Sequence, residues 1–95
     1  MDSLELRIVT PNGVYVDKLK IDQITIPTTN GQVTLLKNHM PLIGSLRLSY
    51  VKLKEAKSNT FRYIHIHRGI FELKKNVVKI VTQNAYDVDS QGYKF

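Results

Sequence analysis

Apolar and polar residues alternate along most of this chain. Leu4, Leu6 and Ile8 alternate with Glu5 and Arg7. A period of two places one face of a β-strand in a core and the other face in solvent. The same pattern, rich in β-branched and aromatic residues, returns in Leu46 to Leu53, Thr60 to His67, Ile70 to Leu73 and Val77 to Thr82. The chain is therefore predicted to be strand nearly throughout.

The apolar pattern changes parity before Ile24. Ile21 is followed by Ile24 and Ile26, which resume the alternation on the opposite parity. One extra residue in a strand moves every later side chain to the other face. We therefore predict a bulge or a turn near Asp22-Gln23.

Polar turn signals separate the apolar segments at short intervals. They are Asn12-Gly13, Asn30-Gly31, Glu55 to Asn59 and Lys74-Lys75-Asn76. Lys52 to Ser58 is the one helix-like piece, and it is too short to hold as an isolated helix, so we interpret it as a strand end and a hairpin turn. The predicted fold class is all-β, an antiparallel β-sandwich or flattened barrel of about eight to ten short strands.

Length and composition limit the classes of protein that remain. The 95 residues allow one domain. With no cysteine, neither disulfides nor thiolate zinc sites can form, which fits a reducing compartment. Apolar runs stay far below the roughly 18 residues that span a bilayer, and the first residues lack the pattern of a signal peptide. We therefore predict a soluble domain that is not exported.

The net charge of +6 is unevenly distributed. Between Lys37 and Lys79 there are ten Lys or Arg residues against two acidic ones, a local charge of +8. A basic surface suits phosphate backbones, acidic lipids or an acidic protein partner. Because no nucleic-acid motif is present, specific nucleic-acid binding is not expected. A basic β-barrel that binds nucleic acid nevertheless stays an alternative.

Several polar residues could carry chemistry. His65 and His67 lie two apart, so a strand would point both to one face, where a metal could bind if His39 or a carboxylate completed the site. The sequence places no third ligand, so a polar strand face is the preferred interpretation. Asp87 and Asp89 could form a carboxylate pair, but no second motif accompanies them, and we interpret them as a solvated tail.

The sequence contains neither a motif for a catalytic serine nor one for nucleotide binding. Ser45 and Ser49, even with His39, do not form a nucleophile elbow, because no Gly-x-Ser-x-Gly occurs. No Gly-x-x-x-x-Gly-Lys-Ser/Thr phosphate loop is present either. We therefore predict that the chain is not an enzyme and needs no cofactor.

One stretch resembles a known family. Residues 26–42 combine an Asn-Gly turn, a short apolar strand and a loop that carries His39 and Pro41. This block resembles the signature loop of the epsilon subunit of F-type ATP synthases (the delta subunit in mitochondria), in which Gly, an acidic or amide residue, a short strand and His-Ala-Pro-Leu follow in that order. The resemblance extends over Leu4 to Tyr15, Phe61 to Leu73, and Asn76 to Val81 with Ala85.

The chain also departs from the family pattern. Family members usually have Gly where Thr34 stands, Pro at Lys37, Pro-Gly at Leu48-Ser49 and Gly-Gly at Arg68-Gly69. Arg68 implies either that the backbone there does not need a positive φ or that nothing packs against it. The resemblance implies an epsilon-like sandwich domain over residues 1–89 and a short tail over residues 90–95, without the family's C-terminal helical hairpin.

The resemblance implies a non-catalytic central-stalk subunit of a rotary ATPase. Such a subunit docks on the gamma subunit and couples it to the c ring, within a complex that also contains alpha and beta catalytic subunits. It lies on the cytoplasmic side of a membrane, in bacteria the plasma membrane. A subunit of a specialised ATPase that drives a motion other than proton transport is the alternative.

The resemblance also assigns residues to these contacts. By motif position, the gamma-facing loop contains Asn38, His39, Met40, Pro41, Leu42 and Ile43. The turn nearest the c ring contains Asn30, Gly31 and Gln32. The alternative for His39 and Pro41 is a turn that merely closes the sandwich, because Pro41 fixes the backbone by itself.

Overall fold

The computed structural model describes residues 3–95, and nine strands account for most of them. The strands are β1 (Leu4–Thr10), β2 (Gly13–Thr28), β3 (Gly31–Leu36), β4 (Leu42–Leu46), β5 (Ser49–Glu55), β6 (Phe61–Ile66), β7 (Gly69–Lys74), β8 (Val77–Thr82) and β9 (Ala85–Val88). No helix occurs among the described residues. The predicted all-β class is confirmed.

The strands form one continuous ladder that folds into two layers. The first layer contains the first half of β2 followed by β1, β8, β7 and β4, and the second contains β3, the second half of β2, β5, β6 and β9. Strand β2 belongs to both layers because its 16 residues pair with β1 first and with β3 and β5 later. The two layers are therefore joined through β2, and a second, short junction forms where Thr28 of β2 pairs with Leu46 of β4.

The core lies between the two layers. Inward-facing residues alternate with exposed ones along the strands, as in the buried-exposed pattern of β7 and β8. The core residues that are less than 2% exposed include Leu4, Leu6, Ile8, Ile21, Ile24, Ile26, Leu35, Leu53, Ile64, Ile66, Phe71 and Leu73. Burial of this aliphatic set, at about 25 cal/mol per Å² of apolar surface, drives the packing of the layers.

The bend in β2 coincides with the predicted bulge. In the β2–β5 ladder, Ile21 pairs with Glu55 and Gln23 pairs with Lys54, so Asp22 is the extra residue. Ile21 and Ile24 are both fully buried despite their opposite parity. The parity change in the sequence was therefore a correct sign of the bulge.

Two sequence-based assignments need correction. Leu46 to Leu53 is not one strand, because Arg47 and Leu48 separate β4 from β5 where the chain crosses between the layers. The pairing is not antiparallel throughout, because β1 and β8 run parallel from Glu5–Val77 to Val9–Val81. Neither strand carries local information about a partner some 70 positions away, so alternation alone could not reveal this pairing.

The contact between β7 and β8 explains the glycine that follows Arg68. A Cβ atom at Gly69 would lie 1.9 Å from the Val81 carbonyl oxygen, closer than any real contact. Arg68 itself is exposed and is not among the residues with positive φ. The backbone requirement therefore falls on Gly69, and an arginine is tolerated at position 68.

Candidate docking surfaces

The first candidate segment, Asn30 to Gln32, lies at the hairpin between β2 and β3. Thr28 pairs with Gly31 across a turn of two residues, Thr29 and Asn30. Gly31 has a φ of +114°, a conformation that favours glycine. The turn therefore lies one position earlier than the predicted Asn30-Gly31 turn, and Gly31 and Gln32 already belong to β3.

Side-chain and backbone hydrogen bonds hold this turn in place. The Thr28 hydroxyl donates to the Gly31 carbonyl at 2.6 Å and accepts from the Asn30 amide at 3.1 Å. The Thr29 amide donates to the Ser45 carbonyl of β4 at 3.1 Å. These bonds make the turn a polar and well-fixed part of the surface.

The second candidate segment, Asn38 to Ile43, contains a loop that is anchored at its start. Asn38 has a φ of +63°, and its amide donates to the Asn76 side-chain oxygen in the β7–β8 turn at 2.7 Å. The His39 amide donates to the Leu36 carbonyl at 3.2 Å, and its ring Nδ1 donates to the Met40 carbonyl at 2.7 Å. The loop is thus held against the end of the first layer.

The apolar side chains of this segment divide between solvent and core. Met40 is 78% exposed and Ile43 is 67% exposed. Leu42, by contrast, is half-buried and packs against the hydrophobic core. Met40 and Ile43 are therefore available to a partner, whereas Leu42 also has a structural role.

The two candidate segments lie at opposite ends of β3. The six residues of β3, at about 3.3 Å each, separate the Asn30 turn from the 38–40 loop by roughly 20 Å. The last residues of the second segment, Leu42 and Ile43, run back along β4 towards the turn. A groove of about 290 Å³ is lined by residues of both segments: Thr28, Thr29, Asn30, Gln32, Val33, Leu42, Ile43, Gly44, Ser45 and Phe71. We call this region, where β3 and β4 face each other, the open side.

The outer face of the first layer carries an apolar row that the sequence analysis did not single out. Ile70 pairs with Val81, and Val9 pairs with both Val81 and Val14. Ile70, Val81 and Val14 are each exposed by about two-fifths to one-half. The signal was present as apolar residues at outward positions of β7 and β8, but it required the strand order to be read as one surface.

The opposite edge of the sandwich is closed by a charged cluster. Arg62 donates from Nε and an Nη to the two Asp87 oxygens at 2.8 and 3.1 Å, and the Tyr15 hydroxyl donates to the same carboxylate. Tyr15 lies in the first layer, whereas the other two lie in the second, so the cluster joins the layers. We call Tyr15, Arg62 and Asp87 the clasp, and its edge the closed side.

Electrostatics agree with this geometry. The hydrogen bonds from Arg62 lower the pKa of the Asp87 carboxyl below its ordinary value. Burial, followed by the hydrogen bond to Asp87, raises the pKa of the Tyr15 hydroxyl. The expectation of a solvated tail was wrong for Asp87, which is half-buried in the clasp. Asp89 instead accepts hydrogen bonds from the amides of Gln91 and Tyr93 and fixes a turn.

The histidine pair forms an aromatic cluster. His65 stacks on Tyr86 with ring centroids 4.6 Å apart, and His67 meets His65 edge-on at 4.9 Å. Burial, followed by repulsion from His67, lowers the pKa of His65. In the part of the chain that the structure describes, no group of three or more His, Cys, Asp or Glu side chains is arranged to hold a metal ion.

The basic residues between Lys37 and Lys79 do not gather on one face. Lys54 pairs with Asp22 at 2.8 Å, Arg62 belongs to the clasp, and Lys52 lies over the Phe61 ring at 4.3 Å. Lys74 and Lys79 lie in the other layer. This distribution does not provide the continuous basic track that a nucleic-acid backbone requires. Within residues 3–95, no helix has the length and hydrophobicity needed to cross a bilayer.

Comparison with known proteins decides the family. The family model described as the ATP synthase Delta/Epsilon chain, beta-sandwich domain, matches residues 3–88. The chain belongs to this family. The resemblance inferred from residues 26–42 is thus confirmed, and the match covers all nine strands.

Individual relatives agree with this assignment. The chain is 32% identical to the ATP synthase epsilon chain of Staphylococcus aureus strains JH9 and Newman. The aligned region has 85 residues and covers 90% of this chain. It spans 62% of the length of these curated relatives. The division at residue 89 into domain and tail stays a prediction.

Solved structures show the same fold. A chain in the Euglena gracilis mitochondrial ATP synthase, a structure of OSCP/F1/c-ring in rotational state 1, is similar with a TM-score of 0.86 at 18% identity, covering 96% of this chain and 59% of that chain. A chain in the central stalk/c-ring structure of Tetrahymena thermophila mitochondrial ATP synthase has a TM-score of 0.74 at 16% identity, covering 90% and 66%.

Proposed function

We propose that this chain is a non-catalytic central-stalk subunit of an F-type rotary ATPase, docking on a gamma-type subunit and coupling it to a c ring. The observation that carries the proposal is the family match over residues 3–88. The similar Tetrahymena chain comes from a structure named for its central stalk and c ring. The alpha and beta catalytic subunits are then members of the same complex, on the cytoplasmic side of its membrane.

The gamma-facing contact is assigned to Asn38, His39, Met40, Pro41, Leu42 and Ile43. Exposed apolar side chains such as Met40 and Ile43 lose contact with water when a partner covers them. Met40 is also flexible enough to adapt to an irregular partner surface. On the same outer face, Ile70 and Val81 extend the apolar area along β7 and β8.

The c-ring contact is assigned to Asn30, Gly31 and Gln32. This turn is polar and fixed by the Thr28 and Ser45 hydrogen bonds, which suits contact with polar loops. Because it lies at the other end of β3, one small rigid domain can contact two partners at once. A subunit that transmits torque needs such a stiff spacer.

Co-purification tests the proposal. We expect the tagged chain, isolated from its native cell, to bring gamma, alpha, beta and c-ring subunits identified by mass spectrometry. The Met40→Asp/Ile43→Asp variant should fold but lose these subunits, because an unpaired charge in a desolvated contact costs about 2 to 5 kcal/mol. Leu42 stays unchanged, since it packs against the core.

A matched control separates docking from general surface effects. Tyr93 is 69% exposed and lies outside both assigned segments, so Tyr93→Asp should co-purify normally. Recovery of the same subunits with the Met40→Asp/Ile43→Asp variant would move the gamma contact to another surface. Recovery of a different set of proteins from the unmodified chain would contradict the central-stalk role itself.

A further inference from the structure

Strand β3 has one edge that none of the nine described strands covers. In the part of the chain that the structure describes, β3 pairs with β2 alone. The other peripheral strand, β9, has four residues, and the bridge between Val88 and Lys94 covers part of its outer edge. Of the two, β3 is thus the longer and the less protected.

The ladder register identifies which β3 groups face outward. A two-residue turn makes Thr28 and Gly31 a hydrogen-bonded pair. Because such pairs alternate along an antiparallel ladder, the backbone groups of Val33 and Leu35 also bond to β2, whereas the amides and carbonyls of Gln32 and Thr34 point away from β2. Pro27 of β2 lies opposite Gln32. Its carbonyl points away from β3 and accepts a hydrogen bond from the Arg47 amide on the other edge of β2, which agrees with this register.

The sequence of β3 lacks the features that usually block an edge. It reads Gly-Gln-Val-Thr-Leu-Leu, with neither a proline nor a lysine within it, and its ladder with β2 has no register shift. Beside it lies the groove of about 290 Å³, whose apolar floor includes Val33, Leu42 and Phe71. An added strand could place alternate side chains in this groove.

Charges at the two ends of the groove indicate the chemistry of the occupant. Lys37 follows β3 directly. Lys74 lines a neighbouring recess that shares Leu42 and Ile43 with the groove, and the Arg47 amide bonds to the Pro27 carbonyl, two positions before the Thr29–Asn30 turn. The ion pairs within residues 3–95 are Arg7–Asp17, Lys54–Asp22 and Arg62–Asp87, so these three cations have no carboxylate partner there. Glu72 is the nearby carboxylate: it lines the same recess as Lys74 and is in register with Ile43 and Lys79. It offsets part of the positive charge of Lys74, so Lys37 is the main cation at this end.

We propose that the free edge of β3 binds an extended strand of a partner protein, with apolar residues at alternate positions and acidic residues at both ends. Backbone hydrogen bonds to Gln32 and Thr34 provide affinity, and the groove with its flanking cations provides specificity. The inference concerns the chemistry of the bound segment and does not depend on which protein carries it.

A synthetic peptide tests this directly. The probe is fluorescein-labelled Glu-Ser-Val-Thr-Val-Thr-Val-Ser-Glu, and binding to the full chain is followed by anisotropy. Gln32→Pro removes an outward amide without breaking a bond to β2, and we expect it to weaken binding by at least about tenfold. Gln32→Ala keeps the amide and removes only a side chain at the rim of the groove, so it should weaken binding much less than Gln32→Pro does.

Two further controls do not depend on the proline variant folding. The same peptide with N-methyl groups on the amides of one edge should lose binding, whereas methylation of the opposite edge should be tolerated. A peptide with lysine at both ends should bind at least about tenfold more weakly at low salt. Equal binding of all these peptides, or unchanged binding to Gln32→Pro, would overturn the proposal.

Self-association is the other occupant that the experiment must detect. Sedimentation of the unmodified chain should show a monomer over the concentrations used. A concentration-dependent dimer that Gln32→Pro abolishes would assign the β3 edge to a second copy of this chain and overturn the proposal. Because the peptide assay needs no ATPase subunit, its failure would leave the co-purification result unaffected.

Discussion

The two sides of the sandwich differ in how their layers meet. On the closed side, Tyr15, Arg62 and Asp87 join the first half of β2 to β6 and β9 through charged hydrogen bonds. On the open side, β3 and β4 face each other across a groove with exposed Met40 and Ile43 at one end. The closed side is thus held by polar bonds between the layers, whereas the open side leaves apolar side chains exposed.

The largest expected effect concerns the floor of the open side. Phe71 is 1% exposed and lines the groove from below, so Phe71→Ala should lower the free energy of unfolding by about 3 to 5 kcal/mol. Urea denaturation measures this change. Phe61→Ala, at a position 39% exposed, is the control and should cost about 1 kcal/mol or less. If Phe71→Ala lowered the free energy of unfolding by a similarly small amount, Phe71 would not be a core residue beneath the groove.

The clasp on the closed side should have an intermediate effect. Asp87→Asn removes the charged hydrogen bonds between Asp87 and Arg62, whose side chains are 31% and 32% exposed. We expect the free energy of unfolding to fall by about 1 to 2 kcal/mol at neutral pH. Asp17→Asn is the matched control, because the Arg7–Asp17 pair is longer, at 3.7 Å, and about half exposed. That control should cost about 0.5 kcal/mol or less.

The effect of Asp87 should depend on pH with a definite sign. Its folded pKa is lowered by Arg62, so its contribution is present above the unfolded value of about 3.9 and is lost as pH falls through the folded value. Denaturation of the Asp87→Asn variant and the unmodified chain should therefore converge in acid. A difference that persists unchanged well below pH 3.9 would contradict this account of the clasp.

The smallest expected effect is at the exposed end of the open side. Met40→Asp should change the free energy of unfolding by less than about 0.5 kcal/mol, because Met40 is 78% exposed. Thermal unfolding followed by circular dichroism measures this change. A loss above about 1.5 kcal/mol would show that the loop is part of the core, which is the interpretation in which His39 and Pro41 merely close the sandwich.

Local patterns were sufficient to predict most of the strands. Alternation located β8 at Val77–Thr82 as observed, and the parity change before Ile24 located the bulge at Asp22. The short break at Arg47-Leu48 was missed because apolar and β-branched residues continue on both sides of it. A change of layer depends on what the next strand pairs with, and that partner is distant in sequence.

The two sides of the molecule were predictable to different degrees. Most of the loop and the turn of the open side come from one contiguous block, residues 26–42, so both could be located before the structure, with the turn displaced by one position. The partners assigned to them stay predictions. The clasp combines Tyr15 with Asp87, 72 positions later, and with Arg62. Three common polar residues at such distances have no recognisable spacing, so Asp87 was misassigned to a solvated tail.

Hydrogen exchange in the assembled complex tests the difference between the two sides most directly. Amide exchange of the chain would be compared between its free form and the complex isolated from its native cell. We predict slower exchange on assembly for residues 30–46, with residues 61–66 and 85–88 unchanged. Protection that appears instead at residues 61–66 and 85–88 would show that the closed side is the docking side and would contradict the account.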